Sequence, residues 1–269
     1  MTPCLPSILP GAEPYFYRGG PIGCLCLHGF MASPNELEWL GKSLAARDFT
    51  VYVPRLTGHG IDHRHMSRMR WGDWYTSALD GYLLLRQQCE LVIPIGLSMG
   101  GLLALMLASK FPVAGVGVLA APLFIRARIV RHTRWLKYFV RYTNQPDTEA
   151  LRRLIRETQI QRGEAVVGRV RYDTWATSAV WEFYKLMTCA RTRLPQVSAP
   201  LLLIYAAQDT TAPPENIDLI GKESRSHHIE QHVLSQTGHI LSQDVERETV
   251  FQLVGDFAAR QGNFHKKSM

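Results

Sequence analysis

Disulfide chemistry is the first thing this sequence lacks. Its five cysteines, Cys4, Cys24, Cys26, Cys89 and Cys189, are scattered and odd in number across 269 residues. That excludes the disulfide framework of a small secreted domain. Cys24-Leu-Cys26 sits in an apolar, strand-like run and has no second cysteine pair to complete a zinc site. A secretory leader is not visible either, because Met1 to Gly11 carries no positive cluster and no apolar h-region. A cytoplasmic protein is the expectation from both. Charged residues make up an ordinary 20%, and glycine and proline show no period, so disorder and collagen-like repetition are excluded. No internal repeat is present, which excludes a solenoid. Leu91 to Ser109 is 19 residues without a charge, but Pro94, Gly96, Gly100 and Gly101 interrupt it. LVIPIGL is strand-length and LLALMLAS helix-length, which predicts a buried strand, sharp turn and buried helix in place of a membrane span.

What remains is 46% apolar content, enough for one large core. Strands are expected at Tyr15–Arg18, Ile22–His28, Thr50–Pro54, Leu91–Leu97, Val113–Leu119, Leu201–Ala206 and Ile229–Leu234. Gly19-Gly20-Pro21 reads as a hairpin-like turn between the first two. Helices are expected from Ser33 or Asn35, as caps, through about Ala46, with Leu37, Leu40 and Leu44 on one face. Others are expected over Asp73–Gln88, Gly101–Lys110, Pro214–Gly221 and Asp244–Arg260. Continuous apolar strands alternating with helices imply an α/β fold with a mostly parallel central sheet and helices on both faces. The alternation lapses between Ala121 and Ala199, which reads as an insertion without a core of its own. Lys and Arg number 30 against 23 Asp and Glu, a net +7. Ile125 to Pro195 alone holds 15 basic and 6 acidic residues, so the remainder is slightly acidic.

Gly96-Leu97-Ser98-Met99-Gly100 matches the G-x-S-x-G nucleophile elbow. Small neighbours are needed there, because the serine stands on a strained strand-to-helix turn crowded by backbone. The helix that follows aims its N-terminus, and hence partial positive charge, at the reacting atoms. A serine nucleophile needs a base, and the base an orienting acid, in the chain order Ser, Asp or Glu, His. Asp209 follows the LLLIYA strand directly, whereas no acid follows the strand before it. His239, after Thr237-Gly238 and ahead of the closing helix, is the candidate base, with His28 and His59 as competitors. His227, His228 and His232 lie in or beside a strand, and His265 lies in the tail. Two backbone donors would complete an oxyanion hole, the N–H of Met99 and that of Phe30 after His28-Gly29.

HGF at 28–30, GHG at 58–60, Trp71-Gly-Asp73-Trp74, GLSMGG at 96–101, Asp209 and TGH at 237–239 stand in one order. From Cys24 to Arg260 the chain resembles the α/β-hydrolases of the bacterial carboxylesterase and monoacylglycerol lipase group. The resemblance implies a catalytic triad of Ser98, Asp209 and His239, an oxyanion hole of Phe30 and Met99, and no cofactor or metal. It implies a core of residues 1–121 and 197–269, with a helical lid of residues 122–196 inserted after the sixth strand. It implies action on short or medium acyl esters or monoacylglycerols. Hydrolysis of a C–C, amide or thioester bond by the same residues stays open, as does a low-turnover ligand-binding relative. Ala179–Leu186 reads as acyl-pocket lining, with Trp181 and Tyr184 as substrate contacts and Ile240 beside His239 as a third. The basic, aromatic stretch 125–142 has three readings: a solvated face over the site, a surface that docks on anionic lipid, or a field steering anionic substrates. No nucleic-acid-binding motif accompanies it.

Overall fold

The computed structural model describes residues 7–268; Met1 to Pro6, including Cys4, and the His265 side chain lie outside the description. In chain order the strands are β1 (Tyr15–Tyr17), β2 (Ile22–Leu27), β3 (Thr50–Val53), β4 (Leu91–Leu97), β5 (Val116–Leu119), β6 (Tyr142–Asn144), β7 (Thr174–Ala176), β8 (Leu201–Ala206) and β9 (Ile229–Leu234). The helices are α1 (Glu38–Ala45), α2 (His63–Met66), α3 (Trp71–Arg86), α4 (Met99–Ala108), α5 (Thr133–Leu136), α6 (Glu149–Gln161), α7 (Thr177–Arg193), α8 (Asn216–Glu223) and α9 (Arg247–Ser268). Seven strands form one sheet in the order β1-β3-β2-β4-β5-β8-β9, parallel except at β1. Helices cover both of its faces, as expected: α3 and α4 pack together on the central strands, and α1 packs against α9. β5 and β8 are buried along their whole length, which is why they read as unbroken apolar runs. β9 lies at an edge and alternates in burial, with Val233 exposed.

The charge-free stretch is a strand and a helix, β4 and α4. No helix among the described residues is long and apolar enough to cross a membrane. The four described cysteines are free thiols. Burial pushes the Cys26 thiol up to about 12, so it packs as a small apolar side chain.

Two local expectations yield to tertiary contacts. β1 does not form a hairpin with β2; it pairs with β3, Tyr15 opposite Val53 and Tyr17 opposite Val51. The link after β1 is tied to the start of β3. Gly20 N–H donates to Asp48 O at 2.7 Å, and Thr50 Oγ1 accepts from Gly19 N–H while donating to Gly20 O. The chain therefore steps past β3 to reach β2. Ser33 and Asn35 do not cap through their side chains. A 3-10 turn over Pro34–Leu37 leads into α1, while Ser33 Oγ donates to Val170 O and Asn35 Oδ1 accepts from Val170 N–H. Leu37, Leu40 and Leu44 are buried as predicted.

Five strands of the main sheet precede the segment between β5 and β8 among the described residues, one fewer than the resemblance implies. Within the segment, β6 and β7 form a two-stranded antiparallel sheet beside α5, α6 and α7. Stretch 125–142 holds a 3-10 segment at Arg128–His132 followed by the single turn of α5. The N–H groups of Phe139 and Val140 both close on Leu136 O, ending that turn before β6 pairs with β7. Ala179, Phe183, Leu186, Met187 and Ala190 of α7 join the main hydrophobic cluster, so the insertion shares the body's core.

Candidate active site

Ser98 stands between β4 and α4 with φ 55° and ψ −115°, in the left-handed half of conformational space. Such a conformation is costly for a residue with a Cβ and persists only where surroundings hold it. Here Ser98 N–H donates to Leu119 O at 2.7 Å, and Ser98 O accepts from Gly101 and Leu102. Backbone crowds the turn: a Cβ on Gly96 would lie 2.0 Å from Gly100 C and O, and one on Gly100 1.9 Å from Leu27 O. Those two glycines are required by space.

Ser98 Oγ lies 2.9 Å from His239 Nε2, and His239 Nδ1 lies 2.7 Å from Asp209 Oδ2. A carboxylate only accepts, so Nδ1 carries the proton and Nε2 is left as the acceptor for the serine hydroxyl. Asp209 is buried, and its Oδ1 accepts from Thr211 N–H at 2.7 Å and Ala212 N–H at 2.9 Å. The turn after β8 thus holds one carboxylate oxygen and aims the other at the imidazole. The histidine loop is pinned the same way. Glu246 Oε2 accepts from Gln236 and Thr237 N–H, and Asp244 Oδ2 accepts from Gly238 N–H. Strands β4, β8 and β9, adjacent at the centre and one side of the sheet apart from β5, bring three distant residues to their C-terminal ends.

His28 and His59 do not reach the serine by hydrogen bond. His28 is buried, with Nδ1 2.9 Å from Gly29 O and Nε2 accepting from Leu56 N–H. The His59 ring packs on it at 4.9 Å. Burial lowers His28 from 6.5 to about 4, against the opposing bond to Gly29, and lowers His59 well below its usual value. A buried neutral histidine binds its proton later than the unfolded chain does, so its contribution is intact above pH 6.5 and is lost as pH falls toward 4. For His28 the loss is about 3 kcal/mol. The thermal midpoint of the wild type should fall across that window, and that of His28→Gln should fall less. Parallel profiles for the two proteins would contradict this assignment.

Met99 opens α4, so its N–H has no acceptor within the helix. Among the described residues neither this N–H nor that of Phe30 donates to another protein group. Both flank the serine: Met99 follows it, and a Cβ on Gly29, next to Phe30, would lie 3.5 Å from Ser98 Cβ. Two unspent donors there suit a developing oxyanion.

Of the expected substrate contacts, Trp181 and Tyr184 are half-buried and stack on each other at 5.4 Å, while Ile240 lies in the hydrophobic core. The α7 aromatic that meets the Phe30 loop is Phe183, whose ring stacks on Phe30 at 5.0 Å. Trp74 and Trp175 set their edges against Phe30 at 5.6 and 5.4 Å. Aromatic richness of the α7 stretch was visible in the sequence. Which aromatic turns inward was not, since neighbours on a helix differ in direction by about 100°. Glu36, Asp147, Arg169 and Arg171 were missed altogether. Arg169 pairs with both Glu36 and Asp147, and Arg171 with Asp147 at 2.5 Å, all four buried or nearly so. Burial opposes charge on Asp147, but its two guanidinium partners outweigh that and hold its carboxyl below the usual range.

The chain resembles known proteins along most of its length. Residues 24–252 match the pattern of the alpha/beta hydrolase family. The chain is 28% identical over 260 residues to a thermostable monoacylglycerol lipase of Bacillus sp. (strain H-257), covering 94% of this chain and 96% of that one. It is 24% identical over 248 residues to a carboxylesterase of Bacillus subtilis (strain 168), covering 91% and 95%. Among solved structures, one from a study of LipS and LipT, two metagenome-derived lipolytic enzymes, superposes with a TM-score of 0.84 at 27% identity. That match covers 94% of this chain and all of the other. With most of its length matched, the chain belongs to the alpha/beta hydrolase family.

Proposed function

We propose that the protein is a serine carboxylesterase acting on short or medium acyl esters or monoacylglycerols through an acyl-enzyme. The observation that carries this reading is the unbroken hydrogen-bond chain from Ser98 Oγ through His239 to Asp209. Relatives named monoacylglycerol lipase and carboxylesterase support the substrate class. Ser98 Oγ attacks the ester carbonyl carbon while His239 Nε2 takes the hydroxyl proton. Asp209 keeps the imidazole in the receptive tautomer and stabilises its protonated form. The carbonyl oxygen, now anionic, is held by the N–H groups of Phe30 and Met99. Collapse expels the alcohol, which leaves with the proton from His239. Water then adds by the same route, releasing the acid and restoring Ser98. The sequence of steps needs no metal or organic cofactor.

Residues 122–196 act as a lid in this reading, and Phe183 and Trp175 bring its aromatic surface against the Phe30 ring. Free cysteines suit a reducing, cytoplasmic compartment. A p-nitrophenyl ester series should be hydrolysed best at short to medium chain length. Ester binding without turnover would overturn the esterase reading in favour of a ligand-binding protein.

The outer face of the lid is a surface for anionic lipid. Phe139 is 86% exposed and Tyr138 72%, with Trp135 and Ile129 also exposed beside them. Among the described residues Arg131, Arg134, Lys137 and Arg141 form no ion pair with a carboxylate. Three of these cations lie over neighbouring rings, Arg134 on Trp135, Lys137 on Tyr138 and Arg141 on Tyr142. Exposed rings among unpaired cations match an interface of acyl chains under anionic headgroups. In flotation with phosphatidylglycerol vesicles the wild type should rise with the lipid, and a variant with Arg131, Arg134, Lys137 and Arg141 changed to Gln should stay behind. Equal recovery would sink this assignment.

A further inference from the structure

The mechanism leaves one buried polar cluster unused, and it touches the oxyanion loop. Glu36 Oε2 accepts from Gly29 N–H at 2.7 Å, and Oε1 pairs with Arg169. A Cβ on Gly29 would lie 2.9 Å from Glu36 Oε2 and 3.5 Å from Ser98 Cβ, so the carboxylate and the serine both border the open Cα of Gly29. Gly29 O is held from its other side, by Ala32 N–H at 3.3 Å and His28 Nδ1 at 2.9 Å. The Gly29 carbonyl shares its planar peptide with Phe30 N–H, so fixing the two ends of Gly29 fixes where that N–H points.

Arg169 comes from the insertion, 133 residues from Glu36 in sequence. It is anchored in turn by Asp147, which also holds Arg171. The Glu36 backbone reaches the third part of the site, since its carbonyl accepts from Ser242 Oγ at 2.6 Å, three residues after His239. Val170, beside Arg169, is bonded to both Ser33 and Asn35. One buried node therefore ties together the oxyanion loop, the histidine loop and the insertion.

We infer that the Glu36–Arg169 pair is a positioning element for the oxyanion hole, through which the inserted segment sets the rate of the chemical step. Glu36 aims the Phe30 amide, and Arg169 holds Glu36 and neutralises its charge. Neutralisation matters at this distance, because an unpaired carboxylate would oppose the anion forming beside Ser98. This inference rests on Phe30 as an oxyanion donor.

Two variants test it. In Glu36→Gln one acceptor oxygen remains to face two donors, Gly29 N–H and Arg169, so one of them is left without a partner. Arg169→Lys keeps the charge but loses the planar fork that reaches Glu36 and Asp147 together. For Glu36→Gln, kcat on a p-nitrophenyl ester should fall about 10-fold or more with KM within about twofold, a share of what loss of a whole oxyanion donor costs. Affinity for a trifluoromethyl ketone, which adds to Ser98 as a tetrahedral oxyanion, should weaken by the same factor. Arg169→Lys should move both quantities the same way by less, and it carries the comparison if Glu36→Gln does not fold. A purely structural pair would lower the melting temperature and leave kcat and ketone affinity at wild-type values; that result in the folded variants overturns the inference. Failure of the reading it rests on would show separately, as ester binding without turnover in the wild type or as undiminished turnover in Ser98→Ala.

Discussion

Replacing Ser98 by alanine should lower kcat on a p-nitrophenyl ester by about 10⁴-fold or more, with the thermal midpoint within a few degrees of wild type. Among the described residues only His239, itself partly exposed, is bonded to the hydroxyl, so removal of the hydroxyl strands no fully buried polar group. Alanine is smaller and sits in the same backbone turn, which Leu119 O, Gly101 and Leu102 hold through the main chain. A comparable loss is expected for Asp209→Asn, by a different route. The asparagine oxygen can still accept from Thr211 and Ala212 N–H, which turns its amide nitrogen toward His239 Nδ1. That nitrogen donates, so Nδ1 becomes the acceptor and Nε2 carries the proton, leaving no base for Ser98. Steady-state kinetics on the three proteins, with circular dichroism melts alongside, decides the matter. Either variant turning over at the wild-type rate would remove that residue from the mechanism.

Gly100→Ala is expected to prevent folding outright. Its Cβ would meet Leu27 O at 1.9 Å and His28 O at 3.0 Å, both backbone atoms of the strand and loop that lead to Phe30. No side chain stands there to swing away, so α4 would have to part from β2. Overpacking of this kind, against a main chain fixed by a parallel ladder, exceeds the usual 1–3 kcal/mol and takes about 5 kcal/mol or more from a domain stable by about 5–15. Gly72→Ala serves as the control, because a Cβ there meets nothing within 4 Å and a helical position favours alanine by about 1 kcal/mol. Soluble yield and melting temperature should separate the two variants. A Gly100→Ala protein that melts with the wild type would mean the elbow opens without cost.

The net +7 acquires a different meaning in three dimensions. Several basic residues of the insertion are consumed internally: Arg169 and Arg171 by the buried node, Arg152 by Asp173, Arg126 and Arg191 by Glu215 and Glu223 of the body. Free basicity concentrates at Arg131–Arg141, beside the exposed rings. Counting charges along the chain located the basic segment without separating structural arginines from those available to a partner.

By itself the sequence determined the elements whose cause is local. Apolar runs of strand length became β4, β5 and β8 because a strand buried on both faces tolerates little else. The elbow glycines, the acid at the end of β8 and the histidine in the loop after β9 were legible because each belongs to a fixed place in a strand-turn-helix frame. Tertiary structure alone decided what depends on partners far along the chain. It paired β1 with β3 through Asp48 and Thr50, ended α5 after one turn, and turned Phe183 toward Phe30. It also joined Glu36 to Arg169, since a charge taken out of water settles on whichever opposite charge the fold brings within reach, and sequence distance has no part in that energy.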